Sequence, residues 1–128
     1  MRDRPTLDEQ RRHVSSTCLA LPEAESDTAT GQHLAFSVRG KKFAYFLVDH
    51  HGDGRVALVC KAAPGEASTL IAATPERYFN PPYLGPRGWV GLDLDAPGVT
   101  PGDVTGLIRA SYALTAPKRL ATQMAEAQ

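Results

Sequence analysis

Neither sign of charge dominates this sequence: 14 Lys+Arg stand against 14 Asp+Glu. A protein held to DNA or to anionic lipid by bulk electrostatics usually carries a clear basic excess, so any polyanion contact here has to be local. Cysteine is scarce too. Cys18 and Cys60 are the only two, far apart and with neither a CxxC nor a nearby His pair, which argues against a disulfide framework or a zinc finger and for two small buried thiols. Long apolar runs are missing. The best of them, Phe43-Ala-Tyr-Phe-Leu-Val48, falls far short of the ~20 residues of a membrane span. The amino-terminal Met-Arg-Asp-Arg-Pro leads into a charged segment rather than an apolar signal core. A soluble cytoplasmic protein without membrane contact is expected. Catalytic signatures are lacking as well: there is no G-x-S-x-G elbow, Walker A loop, strand-borne GxGxxG or HExxH. The expectation is a non-enzymatic protein that needs no cofactor.

What is present is ordinary globular material, with 42% hydrophobic and 22% charged residues over 128 positions. A chain of this length buries roughly two-thirds of its unfolded surface, enough for one core. A single domain over 1–128 is expected, ordered over about 6–120. Thr6 followed by Glu9 has the spacing of a capping box, and Leu7, Val14, Cys18 and Leu21 then recur at helical spacing before Pro22. The first helix is placed at about 7–20. Leu34, Phe36 and Val38 alternate with polar or small neighbours as a half-buried strand does. Arg39-Gly40-Lys41 reads as a tight turn, and Phe43–Val48 as the returning strand. The longer turn Asp49–Gly54 feeds a third antiparallel strand, Val56–Cys60. A short helix at about 65–74 follows Pro64. Further on, Val90, Leu92 and Leu94 alternate with Trp89, Gly91 and Asp93, placing the aliphatic side chains inward and the indole on the outer face. Thr100-Pro-Gly-Asp103 caps another helix, whose buried stripe is Val104, Leu107, Ile108, Ser111 and Tyr112. Pro117 kinks that helix or restarts it as a short one carrying Lys118 and Arg119, and no apolar stripe worth ordering is evident beyond. The order predicts an α+β fold: an antiparallel sheet of about five strands packed against amino- and carboxyl-terminal helices, with a short helix between strands.

Several segments in this order resemble the MmcQ/YjbR family: Cys18-Leu-Ala-Leu-Pro22, the hairpin Phe36-Ser-Val-Arg-Gly-Lys-Lys-Phe-Ala44, Val56-Ala-Leu-Val-Cys-Lys61, Pro82-Tyr-Leu-Gly-Pro-Arg-Gly-Trp-Val90 and Ser111-Tyr112. The likeness runs over about 10–120. It implies a fold similar to frataxin and CyaY, and proteins described as DNA-binding through wing-like hairpins. The commoner family pattern has His-Leu-Asn-Lys before a His-Trp pair, where this chain has Tyr83-Leu-Gly-Pro-Arg-Gly-Trp89. Only Leu84 and Trp89 carry over. The iron role of the frataxin-like fold does not, because the first helix has Asp8 and Glu9 against Arg11 and Arg12 in place of an acidic ridge.

Two candidate surfaces follow. Arg39, Lys41 and Lys42 make a cationic hairpin tip; by default such a tip is a solvated turn that discourages edge pairing, and alternatively it is a wing giving duplex DNA a weak, salt-sensitive contact. Tyr83, Arg87 and Trp89 are the second, a surface for a small molecule or protein partner. Against that stands a packing role in which Trp89 joins Tyr78, Phe79 and Tyr83 to lock the proline-rich loop onto the sheet. His50 and His51 with Asp49 and Asp53 could approach a divalent ion, but neighbouring side chains point apart in a Gly-rich turn, and no metal site is expected. Cys60 shares strand parity with Val56 and Leu58 and is read as core.

Overall fold

The computed structural model describes residues 6–28, 33–49 and 52–126. Its first helix starts where capping chemistry dictates: Thr6 Oγ1 accepts the Glu9 N–H at 3.1 Å, and Glu9 Oε1 accepts the Thr6 N–H at 2.7 Å. From there α1 runs Leu7–Leu19, with Val14 and Cys18 on its buried side. Glu23, left-handed at φ 58°, turns the chain into β1 (Ala24–Thr28), followed by β2 (Leu34–Val38), β3 (Lys41–Val48) and β4 (Val56–Lys61). Then come α2 (Glu66–Ala73), β5 (Tyr78–Phe79), a 3-10 turn at Gly85–Arg87, β6 (Trp89–Asp93), α3 (Pro101–Thr115) and α4 (Lys118–Glu126). The Thr100–Asp103 pair caps α3 reciprocally, with Pro101 at its first position.

All six strands join one antiparallel sheet in the order β1-β2-β3-β4-β6-β5. The fold is α+β, with six strands in place of about five. The strands not placed from the sequence are the two edge strands, β1 and the two-residue β5. The β1 sequence, Ala-Glu-Ser-Asp-Thr, has no apolar alternation because it lies at the sheet edge, and of its residues Ala24 packs against the core.

Cross-strand register decides which side chains share a face. Leu34, Phe46, Leu58, Leu92 and Tyr78 form one row across the sheet. This row packs against Val14 and Cys18 of α1 and Val104, Ile108 and Tyr112 of α3 in a single large cluster. The opposite face carries Ala35, Tyr45, Val59, Gly91 and Phe79 in a parallel row. Here the hydrophobic cluster is small: Ala57, Val59 and Trp89, flanked by half-buried Tyr45, Leu47, Phe79 and Leu84. The Phe79 ring lies flat on Gly91, where a Cβ would come within 2.4 Å of the ring carbon; only glycine leaves room for it.

A bulge breaks the β2–β3 ladder, since Phe36 pairs with Ala44 but Ser37 pairs with Lys42. The extra residue, Phe43, is thereby turned into the helix-side core, where its ring meets Tyr112 edge-on at 5.4 Å. The β3–β4 pairing stops at Ala44–Cys60. Beyond it, the Ser111 hydroxyl of α3 accepts the Lys61 N–H at 2.9 Å and donates to the Phe43 carbonyl at 2.6 Å. One buried serine thus satisfies two backbone groups that the ladder no longer reaches.

Two expectations about the helices need correcting. The carboxyl-terminal segment has an ordering stripe after all: Leu120 and Met124 on α4 are buried in the main core, and a spacing of four with only two apolar residues is too short a pattern to stand out. The α2 stripe of Ala67, Leu70, Ile71 and Thr74 does share one face, yet no α2 residue is fully buried. Its amino terminus is Gly65, left-handed at φ 82°, rather than Pro64.

Candidate nucleic-acid interface

The hairpin tip is a two-residue turn in which Arg39 and Gly40 are both left-handed, at φ 52° and 78°, the geometry whose twist matches flanking strands. Glycine accepts this freely, whereas arginine needs compensation. Glu23 provides it: Arg39 Nε donates to Oε1 at 2.6 Å and Nη2 to Oε2 at 3.1 Å, a two-pronged pair. Arg119 of α4 approaches the same carboxylate at 3.8 Å. The Arg39 hydrogen bond holds the Glu23 carboxyl below its ordinary range. Lys42 is committed in the same way. Its Nζ lies 3.0 Å from Asp27 Oδ2, a water-shielded oxygen with no aligned hydrogen bond of its own, so the compensation there is ionic. The Ser37 hydroxyl and then Lys42 lower the Asp27 pKa. Of the three tip cations, Lys41 alone makes no ion pair among the described residues. The tip is therefore far less positive than its sequence, because β1 brings Glu23 and Asp27 against it.

The sheet places further cations beside this tip on the open face. Lys42 pairs in register with Ser37, and Lys61 with Trp89, so the two lysines lie on neighbouring strands at the same end of the sheet. The Lys61 ammonium sits 5.7 Å from the centre of the Trp89 ring. Arg87 is exposed in the turn entering β6, which the Ala62 N–H fastens to the end of β4 through the Gly88 carbonyl at 3.1 Å. Toward the other end of β4, the Arg55 guanidinium covers the Phe79 ring at 4.0 Å. Tyr45 stands beside them on β3, half-buried, its ring 5.5 Å from Trp89 and tilted by 48°. Neither of the candidate surfaces named from the sequence includes Lys61, Arg55 or Tyr45. Strand parity within β3 and β4 marks their common face, but only the pairing of β4 with β6 brings them to the aromatic rings.

The second candidate surface is partly dismantled. Trp89 is on the outer face as parity predicts, yet it is only 6% exposed, under a roof that includes Phe79 and Leu84. Its ring is packing, unavailable for stacking on a ligand. The aromatic neighbours also differ from expectation: Tyr78 faces the helix-side core, Tyr83 is 80% exposed, and Tyr45 arrives from β3. Tyr83 and Arg87 remain exposed, Tyr83 on a left-handed backbone at φ 67°.

The other groups weighed for chemistry stay quiet. Cys18 and Cys60 are both free and buried. Burial pushes the Cys18 thiol up to about 12 and raises Cys60 as well, the opposite of an activated thiolate. His50 and His51 lie outside the described residues. Among the described residues no group of three or more His, Cys, Asp or Glu is placed to hold a metal ion. No helix among them is long and apolar enough to cross a membrane.

These elements define a compact α+β protein in which helices α1, α3 and α4 cover one face of an antiparallel sheet and the other face carries cations around a small aromatic cluster. The YjbR family model matches residues 19–114, and the chain belongs to the YjbR family. The crystal structure of Deinococcus radiodurans protein DR2400, which carries a DUF419 domain, is similar to it with a TM-score of 0.68 and 24% sequence identity, covering 94% of this chain and 88% of that one. At that identity the likeness establishes the fold. No curated protein matches the chain.

Proposed function

We propose that this YjbR-family chain is a non-enzymatic nucleic-acid-contacting protein, and that the contact lies along the end of the sheet carrying Lys41, Lys42, Lys61 and Arg87. The observation that carries the reading is the strand register, which brings Lys42 and Lys61 onto one open face. This differs from a hairpin wing acting alone. Arg39 serves to hold the turn, bound to Glu23, and the phosphate contacts come from the strands behind it. Three to four such contacts give a slope of log affinity against log salt of roughly −2.7 to −3.6 on duplex DNA. Binding is expected to be weak and nearly independent of sequence, since phosphate contacts carry no base information.

Fluorescence anisotropy of labelled DNA at several salt concentrations tests this. Replacing Lys41, Lys61 and Arg87 together with Ser is expected to flatten the slope, while Arg39→Ser leaves it nearly unchanged. Asp27→Asn, which releases Lys42, should steepen it by about 0.9. Absence of association with duplex and single-stranded DNA alike, at low salt and tens of micromolar protein, refutes the proposal.

A second reading is favoured by one observation: the aromatic side chain of Tyr83 is 80% exposed and its backbone is left-handed. In that reading Tyr83 and Arg87 form a partner-binding surface, with Trp89 supporting it from below. Association that survives high salt and is lost in Tyr83→Ala would select it.

A further inference from the structure

Building on the nucleic-acid reading, we infer that the open sheet face takes a single strand, with an unpaired base stacked on Tyr45 and the flanking phosphates on Lys61 and Arg55. The face is flat and no described helix packs across its β3–β4 centre, because α1, α3 and α4 all lie on the other side. Its floor is apolar, formed by Val59, Trp89 and half-buried Leu47, Phe79 and Tyr45. Cations stand at both ends, Lys61 at one and Arg55 at the other, where Asp93 lies across from Ala57 on the same face. Arg55, just before β4, reaches onto the Phe79 ring, which lies over Gly91, and Lys61, at the far end of β4, lies beside the Trp89 ring. Each cation caps an aromatic face, so those two rings are not the stacking platforms. Tyr45, on β3 beside Trp89 and half-buried, is the ring left for a base.

The occupant follows from this layout. A duplex keeps its base faces inside the stack and offers a flat surface only phosphates, whereas a single strand offers phosphates and free π faces together. Groove entry would call for a projecting cationic element. The tip that might have projected is a two-residue turn whose Arg39 is folded back onto Glu23 and whose Lys42 is tied to Asp27. An acidic peptide would match the cations but has no use for a half-buried aromatic ring beside them.

The test uses the full chain with a labelled oligo-dT of about twelve nucleotides, a length on the scale of such sites, and a duplex of equal length. Oligo-dT is expected to bind about tenfold or more tighter than the duplex and to quench the emission of Trp89, the sole tryptophan, which lies beside Tyr45. Tyr45→Ala should weaken oligo-dT binding about tenfold and leave duplex binding unchanged, with Tyr45→Phe restoring it because the π face is kept. Thermal melts of both variants show whether the fold is intact. The Phe variant keeps the test decisive if the Ala variant is unstable: oligo-dT affinity in Tyr45→Phe close to the wild type, with quenching retained, is required. Equal or tighter duplex binding, or an unaltered affinity in folded Tyr45→Ala, overturns the single-strand inference while a salt-dependent contact still stands. Competition by polyglutamate as effective as that of oligo-dT overturns it too, in favour of an acidic protein. No binding to either nucleic acid defeats the underlying reading as well.

Discussion

Leu92→Asp is expected to abolish the cooperative thermal transition, whereas Asp93→Leu should melt close to the wild type. Leu92 is fully buried in β6, in register with Leu58 on one side and Tyr78 on the other, all facing α1 and α3. A carboxylate there has no partner in the main hydrophobic cluster. An unpaired buried charge costs several kcal/mol, on the order of the whole stability of a domain this size, about 5–15 kcal/mol. Asp93 points to the open face, half-exposed, and its Oδ1 accepts the Asp95 N–H at 3.0 Å, so its replacement loses a turn hydrogen bond and no core contact. Differential scanning calorimetry of the two variants checks this directly. The reverse outcome, a normal transition in Leu92→Asp and a lost one in Asp93→Leu, would mean that the two faces of the sheet are exchanged, and the proposed interface would fall with them.

Ser111→Ala should destabilise the protein by about 2–4 kcal/mol, far more than removal of a hydroxyl usually does. The side chain is fully buried and bridges the Lys61 N–H and the Phe43 carbonyl where the bulge ends the β3–β4 ladder. Alanine leaves both groups unsatisfied; a buried orphan such as the Phe43 carbonyl costs about 1–3 kcal/mol, and the part-buried Lys61 N–H about 1 kcal/mol. Urea denaturation gives the number from the midpoint at unchanged slope. A loss below about 0.5 kcal/mol would show that the two groups find other partners. Because Lys61 is the last residue of β4, the same variant should also disturb the cation it carries on the open face.

Much of this architecture was legible before any coordinates. The Thr6–Glu9 and Thr100–Asp103 boxes mark helix starts because the side chains that satisfy free backbone donors sit within the same short stretch of chain. The Arg39-Gly40 turn and the inward parity of Val90, Leu92 and Leu94 were equally local. By contrast, β1 escaped because an edge strand has little to bury and thus little periodicity, and the packing of α4, whose restart after Pro117 was one of two expectations, escaped because two apolar residues at a spacing of four suffice when they close over an existing core.

By itself the sequence determined what short-range chemistry controls: the caps, the tight turn, the alternation of the central strands, the buried thiols and the ordered family segments. What only the tertiary structure decided was which charges survive and where they gather. Glu23 and Asp27 lie many residues before Arg39 and Lys42 and neutralise them through the β1–β2 edge. Lys61 meets Trp89, and Tyr45 meets it from the other side, only because β4 pairs with β6 across an intervening helix and strand. Electrostatics and ring stacking act through space over a few ångströms, so their outcome is set by which strands become neighbours, and that is a property of the closed sheet rather than of any one stretch of residues.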